Sequence, residues 1–324
     1  MLRTDFRSLI KGYNRVKFYS GNFSRYFMPD GLFRALFRHK YDRMSADERK
    51  MFESRVDYYI RLPKDAAIDE KTAISVRDFN YPWHEKHKFT TYFFDLYECV
   101  RCFPSRLKFN YLFGDVHWET PTPTFVKSRP ITSGTTNSVV LPLNKVRHFR
   151  FITDMRNFRD KKDMLVFRNV VRQPHRLAFL DRHFNNPICD AGQTNGDWGN
   201  PLAYRKPYMT IDEQLEFKFI ACIEGNDVAT NLKWVMASNS IAVMPRPKME
   251  TWFMEGTLKG GYHYIEIKDD YSDLDDKLKY YISHPDEAEA IIAHAHEYVA
   301  RFRDTATELL TARMVAKRYF ELCK

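Results

Sequence analysis

The spacing of apolar positions changes period along this chain, most plainly over residues 217–244, FKFIACIEGNDVATNLKWVMASNSIAVM. Residues 217–223 form a continuous apolar run, too short for a helix and closed by Glu224-Gly225-Asn226, which predicts a buried strand and a turn. Asp227 is a candidate N-cap. Behind it Val228, Leu232, Val235 and Met236 step by four, three and one, the apolar face of a short helix that leads to a second strand. A strand delivered into a helix N-terminus gathers free backbone N–H groups at the positive end of the helix dipole, where α/β proteins bind phosphate. The same pattern also fits an ordinary strand–helix connection with no ligand.

The rest of the chain follows the same alternation. Residues 1–64 have a mainly helical pattern ending in RVDYYIRL. Then come a short strand at 72–76, a helix at 92–103 and a buried strand at 108–113 that stops at Gly114-Asp115. A Pro-rich loop, ETPTPTFVKSRPI, follows. From a strand at 164–167, strand, helix, strand, helix and strand succeed one another as far as Met244, which predicts a parallel sheet, and 263–267 continues it. Pro285 opens a helix whose Ala288, Ile291, Ile292, Ala295, Val299 and Phe302 share one face, and a last amphipathic helix covers 305–322. These patterns divide the chain into 1–64, 65–160, 161–304 and 305–324.

At 324 residues the chain is long enough for two domains. Its 44% apolar and 15% aromatic content requires a packed interior. There is no repeat of about 20–50 residues, which excludes a solenoid. No apolar run approaches a membrane span, and MLRTDFRSLIKGYNRVKFYSGNF lacks the apolar core of a signal peptide, so a cytoplasmic protein is expected. Charge is uneven. Residues 1–64 hold 15 Lys and Arg against 7 Asp and Glu, so +8 of the total +9 lies there. That segment fits an anionic membrane surface, a phosphorylated glycolipid or nucleic acid, and equally a solvated helical face. No zinc finger, RNP-like strand pair or helix-turn-helix accompanies it, so nucleic acid rests on charge alone and is not expected as a partner. Cys99 and Cys102 form a CxxC, but no second ligand pair completes a zinc set, and a buried thiol pair is expected. Five cysteines argue against a disulfide framework.

Several polar residues fall at predicted strand ends, where open α/β sheets take ligands. Asp115 closes FNYLFGD, with His117 two residues on. A carboxylate there suits a general base, and also a turn or cap. Lys127 and Arg129 in KSRPI, and Arg168 and Arg172 in FRNVVR, supply positive charge that matches phosphate if the strand ends converge. Asp273-Leu274-Asp275 is the one DxD near a strand end. It also fits the first turn of a helix, and no metal is expected.

In this order KSRPI (127–131), RHF (147–149), the run KKDMLVFR (161–168), QLEFKF followed by EGNDVATNLKW (224–234), and YHYIEIKDDYSDLDDKL resemble glycosyltransferase family 90. That family groups lipopolysaccharide-modifying "LPS A" and capsule-associated proteins with the eukaryotic protein O-glucosyltransferases. The resemblance spans residues 50–305 and is strongest over 108–275.

The resemblance implies a GT-B-like fold, two Rossmann-like domains with parallel sheets facing across a cleft. Residues 65–160 would hold the acceptor and 161–304 the nucleotide sugar. It implies metal-independent, inverting transfer from a UDP-sugar to a saccharide or lipid-linked saccharide, with no cofactor, on the cytoplasmic face of an inner membrane. By position Asp115 matches the family's proposed base and Arg168 the arginine of its FRG motif. Glu224-Gly225 stand at its Asp-Gly, and Lys233 at a second basic residue. Asn226, Asp227 and Arg172 would join them around the diphosphate, with His117, Lys127 and Arg129 toward substrate. Two positions depart from the pattern. Asn169 replaces the glycine of FRG, and Asn231 stands where many relatives have an arginine that contacts the nucleotide. A basic nucleic-acid-binding protein and a non-catalytic protein retaining the fold are the other readings.

Overall fold

The computed structural model describes residues 16, 18–81, 89–194 and 199–323. The part of the basic segment that falls in 1–15 and at 17 lies outside the described residues.

Residues 18–26 are helical, and helices α1 (Asp30–Asp42) and α2 (Ala46–Tyr59) follow them in the described part of the basic segment. Ser45 and Glu48 start α2 with reciprocal side-chain and backbone bonds, a capping box. A four-stranded sheet follows in the order β1 (Ile74–Ser75), β2 (Lys108–Leu112), β3 (Thr124–Val126), β5 (Ser138–Val140). β1 is antiparallel to β2 and the other pairs are parallel. Helix α3 (Thr90–Val100) packs beside it and is buried along most of its length. The two parallel crossovers of this sheet, 113–123 and 127–137, contain no helix, so regular strand–helix alternation is confined to the second half.

That half is a five-stranded, all-parallel sheet. Its order is β7 (Cys189–Gln193), β6 (Lys162–Asn169), β8 (Phe217–Ala221), β9 (Ile241–Met244), β11 (Ile265–Glu266). Side chains of alternate parity divide between two cores, as a strand's period of two requires. Leu165, Phe167, Phe219, Ile241 and Val243 face one core together with Leu274, Leu278 and Ile291. Val166, Ile220, Ala242 and Met244 face the other, which is continuous with the first half. The chain leaves β6 to one side for β7 and returns to the other side for β8, so the sheet reverses between β6 and β8. In open parallel sheets the carboxyl ends at such a reversal form the ligand crevice.

Two devices join the halves. β4 (Ser128–Pro130) pairs antiparallel with β10 (Met249–Thr251), placing Arg129 opposite Glu250. The last helix, α10 (Thr305–Leu322), packs back on the first half, and Tyr319 donates to Pro123 O at 2.8 Å. Here α4 is Lys145–His148, α5 Pro174–His183, α6 Ile211–Gln214, α7 Leu232–Met236, α8 Leu274–Ser283 and α9 Pro285–Ala300.

The expected helix behind Asp227 is shorter than its pattern. It begins at Leu232 and lasts five residues, and Asp227 does not cap it. Cys99 and Cys102 are buried thiols whose Sγ groups donate to Asp95 O and Cys99 O. Burial pushes the Cys102 thiol up to about 12, so neither acts as a ready thiolate.

Candidate active site

The two halves meet chemically where β2 and β8 end. Gly114, at φ +108°, allows β2 to turn sharply, and Asp115 follows it into the junction. Lys127, just past β3, lies between two carboxylates. Its Nζ is 2.5 Å from Asp115 Oδ1 and 2.6 Å from Asp227 Oδ2. Asp115 belongs to the first half and Asp227 to the turn after β8, so one buried ammonium ties the strand ends together. Lys127 is 1% exposed, whereas the Asp115 side chain keeps 35% of its surface. The lysine is structural here, and the aspartate is the accessible partner.

Charge fixes the protonation of this trio. Burial alone would push the Asp115 carboxyl up, but the Lys127 ammonium, with Arg147 beyond it, holds it below the usual carboxylate range. The nearby Asn226 side chain acts in the same direction. Burial would push the Lys127 ammonium down, yet Asp227 and Asp115 carry it above its ordinary value. Asp115 is therefore a carboxylate at neutral pH. His117 is exposed and turns its ring toward Asp115 O at 3.2 Å, not toward the carboxylate.

On the five-stranded sheet, Arg176 was not singled out by its sequence context. It donates to Val170 O, Ile223 O and Glu224 O, each at 2.8 Å, and so pins the ends of β6 and β8 across the reversal. A Cβ on Gly225 would come 3.3 Å from its Nη2. Glycine thus lets the turn lie against the guanidinium. Glu224 takes backbone donors from Lys248 at 3.1 Å and Met249 at 3.0 Å. Burial, helped by the negative charge of Glu255, pushes its carboxyl up to about 7. Buried polar atoms without a hydrogen-bond partner gather at the same strand ends: Arg168 Nε, Gln173 Oε1 and Gln193 Nε2. Such atoms are what a polar ligand or ordered water satisfies.

Four expected site residues occupy other places. Arg129 is 0% exposed, and its guanidinium is taken by Glu250 at 2.8 Å and by Tyr59 O, Ser138 O and Tyr58 O. It braces the interior and cannot meet substrate. Lys233 is buried against Glu255 at 2.5 Å, so its charge is spent inside the protein. Asn231 donates to Ala221 O at 3.0 Å, which fastens the turn to β8. Arg168 gives its Nη groups to Asp190 Oδ1 and O, both at 2.6 Å, and to Phe167 O. A diphosphate contact there would have to displace Asp190. Arg172, by contrast, is exposed beside the reversal, and Arg147 is exposed on the opposite half. Arg147 belongs to the RHF segment, a motif whose arginine carried no assigned role. Asp273 accepts from Lys268 N and Asp275 from Asn186, so the two carboxylates of DLD serve different partners.

The larger apolar cavity, about 600 Å³, opens elsewhere, among Phe18, Tyr26, Phe94, Phe149 and Leu309. Its acids Asp95 and Glu98 are paired with Lys145, and Glu308 with Arg55. None of them is placed as Asp115 is, at a strand end facing the other half.

Comparison with known proteins identifies the family. Residues 145–310 match the Glycosyl transferase family 90 profile, which covers α4, the whole parallel sheet and the start of α10. The chain is 41% identical over 283 residues to the O-glucosyltransferase LpsA of Dichelobacter nodosus, covering 87% of each protein. This chain belongs to glycosyltransferase family 90, and it is a glycosyltransferase.

Proposed function

We propose that the enzyme moves a sugar from a UDP-sugar to a hydroxyl of a saccharide acceptor, with inversion and without a metal ion, in lipopolysaccharide or surface-polysaccharide synthesis. The observation that carries this reading is the Asp115–Lys127–Asp227 contact, which sets an ionised carboxylate of one half against the sheet reversal of the other. The arrangement is GT-B-like in this reading, with acceptor on the 65–160 side and nucleotide sugar on the 161–304 side. Glucose is the first donor to test, because the relative is described as an O-glucosyltransferase. The acceptor is a lipid-linked saccharide at the cytoplasmic face of the inner membrane.

In the reaction the acceptor oxygen attacks the anomeric carbon from the face opposite UDP. The bond to the diphosphate oxygen breaks, and UDP leaves with the electron pair. Asp115 takes the hydroxyl proton. A carboxylate paired with an ammonium is a weak base, so the proton moves as the new C–O bond forms and the hydroxyl becomes acidic. Holding both substrates in line supplies much of the acceleration. Arg172 and Arg147, exposed cations on either side, neutralise the departing diphosphate together with the N–H groups at 226–228.

The deciding experiment incubates purified protein with UDP-glucose, UDP-galactose and UDP-xylose, with and without EDTA, and follows UDP release. Turnover of one donor that survives EDTA is expected. A strict Mn²⁺ or Mg²⁺ requirement would overturn the metal-independent mechanism and return attention to Asp273 and Asp275.

Glu224 makes the donor affinity depend on pH. Below about 7 its carboxyl is neutral beside the proposed diphosphate site. As pH rises through that value it ionises, and the added repulsion, taken as that of two unit charges about 4 Å apart in water, is worth about 1 kcal/mol, or about fivefold in Kd. UDP-glucose should therefore bind more weakly at pH 8 than at pH 6, and Glu224→Gln should flatten the profile. Calorimetry that finds the same slope in both proteins would place Glu224 outside the donor site.

A further inference from the structure

Among the described residues, α1 and the turn before it carry an exposed apolar strip. Phe27, Met28, Leu32 and Leu36 are 71%, 41%, 43% and 54% exposed. Leu32 and Leu36 lie one turn apart on the same face of α1. On the adjoining face, Phe37 is buried and Phe33 packs on the core. The helix thus has two apolar faces, and folding uses one of them. Single exposed leucines are ordinary on a protein surface, but four large apolar side chains within ten residues make a patch.

Cations border this patch. Lys40 and Arg43, four and seven residues past Leu36, are exposed on its side of α1, and Arg25 is exposed ahead of the turn. The acids nearby have other partners. Asp30 is held by Arg101 at 2.6 Å, and Asp42 is paired with Arg38 at 3.8 Å, away from Lys40 and Arg43. At 13 residues α1 reaches about 20 Å, short of a bilayer core, and no helix among the described residues is long and apolar enough to cross a membrane.

We propose that this face of α1 and the turn before it lies flat on an anionic lipid bilayer. Phe27, Met28, Leu32 and Leu36 enter the boundary between headgroups and acyl chains, and the bordering arginines and lysines meet lipid phosphates. Charge complementarity selects this partner. An apolar strip within a cationic border matches anionic headgroups over hydrocarbon, whereas a second copy would set the same cations against one another. The proposal deepens the reading above, in which the acceptor is lipid-linked, by naming the surface that brings the enzyme to it. The binding itself requires no catalysis.

The test sediments the full chain with vesicles of phosphatidylcholine alone or mixed with phosphatidylglycerol, at low and physiological salt. Wild type should bind the phosphatidylglycerol vesicles and lose affinity as salt screens the attraction. Leu32→Ser with Leu36→Ser keeps every charge and should lower partitioning at least tenfold. Lys40→Gln with Arg43→Gln should abolish the preference for anionic lipid. Circular dichroism confirms that each variant is folded, and UDP-glucose turnover in solution should be unchanged in all of them. Wild type that ignores phosphatidylglycerol, or serine variants that bind as wild type does, would overturn the proposal. So would a dimer in gel filtration that the serine variants dissolve while no vesicles are bound. Vesicle binding without turnover of any UDP-sugar would leave the membrane face standing and sink the transferase mechanism instead.

Discussion

Asp115→Asn is expected to lower kcat by about 10²-fold or more while UDP affinity and stability stay near wild type. The substitution preserves shape and removes only the ability to accept a proton. It also leaves Lys127 with a partner, since Asp227 remains 2.6 Å from the same ammonium, so no buried charge is orphaned. The loss should therefore fall on the chemical step. Because Lys127 keeps the Asp115 carboxyl below its ordinary range, the wild-type enzyme should show no loss of activity from this group between pH 5 and pH 8. The sign follows from the depressed value: the ionised form, and the stability it contributes, persists above the unfolded pKa of about 3.9 and is lost only as pH falls through the lower folded value. Steady-state kinetics with a saccharide acceptor and calorimetry with UDP measure both halves of this expectation. A variant with near-normal kcat would move the base elsewhere, and exposed His117 would be the next residue to replace.

What the sequence shows and what it hides can be separated residue by residue. Helix α9 and helix α10 lie where their patterns place them, because their signals are local: Pro285 at the first turn, Asp304 as a side-chain cap and apolar residues at helical spacing. The buried strands β2, β6 and β8 are legible for a similar reason, as short apolar runs closed by turns. The helix expected behind Asp227 starts late, at Leu232, and its proposed cap is engaged by Lys127, 100 positions earlier, a contact no window of residues reveals. Arg129 and Lys233 were grouped with phosphate-binding cations for the same reason. Their carboxylate partners, Glu250 and Glu255, become neighbours only when β10 is laid against β4 and the turn after it is folded. Arg176 escapes sequence reasoning because its partners are backbone carbonyls, which every residue carries. The place of Asp115 just past a strand was legible because the constraint sits beside it, in the glycine that turns the chain beyond β2.

Arg129→Ala should destabilise the protein by about 3–5 kcal/mol, the usual consequence of removing one partner of a buried ion pair. The side chain is fully buried and joins three elements. Its Nε donates to Glu250 on β10, and one Nη to Ser138 O on β5. The Nη groups also serve Tyr58 O and Tyr59 O, carbonyls in the last turn of α2 that have no partner within the helix. Truncation would strand all of these at once. Arg61, 3.3 Å from Glu250, and the Tyr58 hydroxyl would hold the carboxylate only in part. Arg129→Lys keeps the charge but not the planar fork, so it should recover only a fraction of the loss. Urea unfolding should show a lower midpoint at unchanged slope. In a cycle with Glu250→Gln, the double variant should cost less than the sum of the two singles, because the carboxylate and the guanidinium then leave together. A single variant within about 1 kcal/mol of wild type would show that the ribbon does not depend on this pair. Kinetics at a temperature where the variant remains folded add a functional readout. β4 begins at the residue after Lys127, so a slackened β4–β10 ribbon should let the Asp115–Lys127–Asp227 contact drift, and kcat should fall with it.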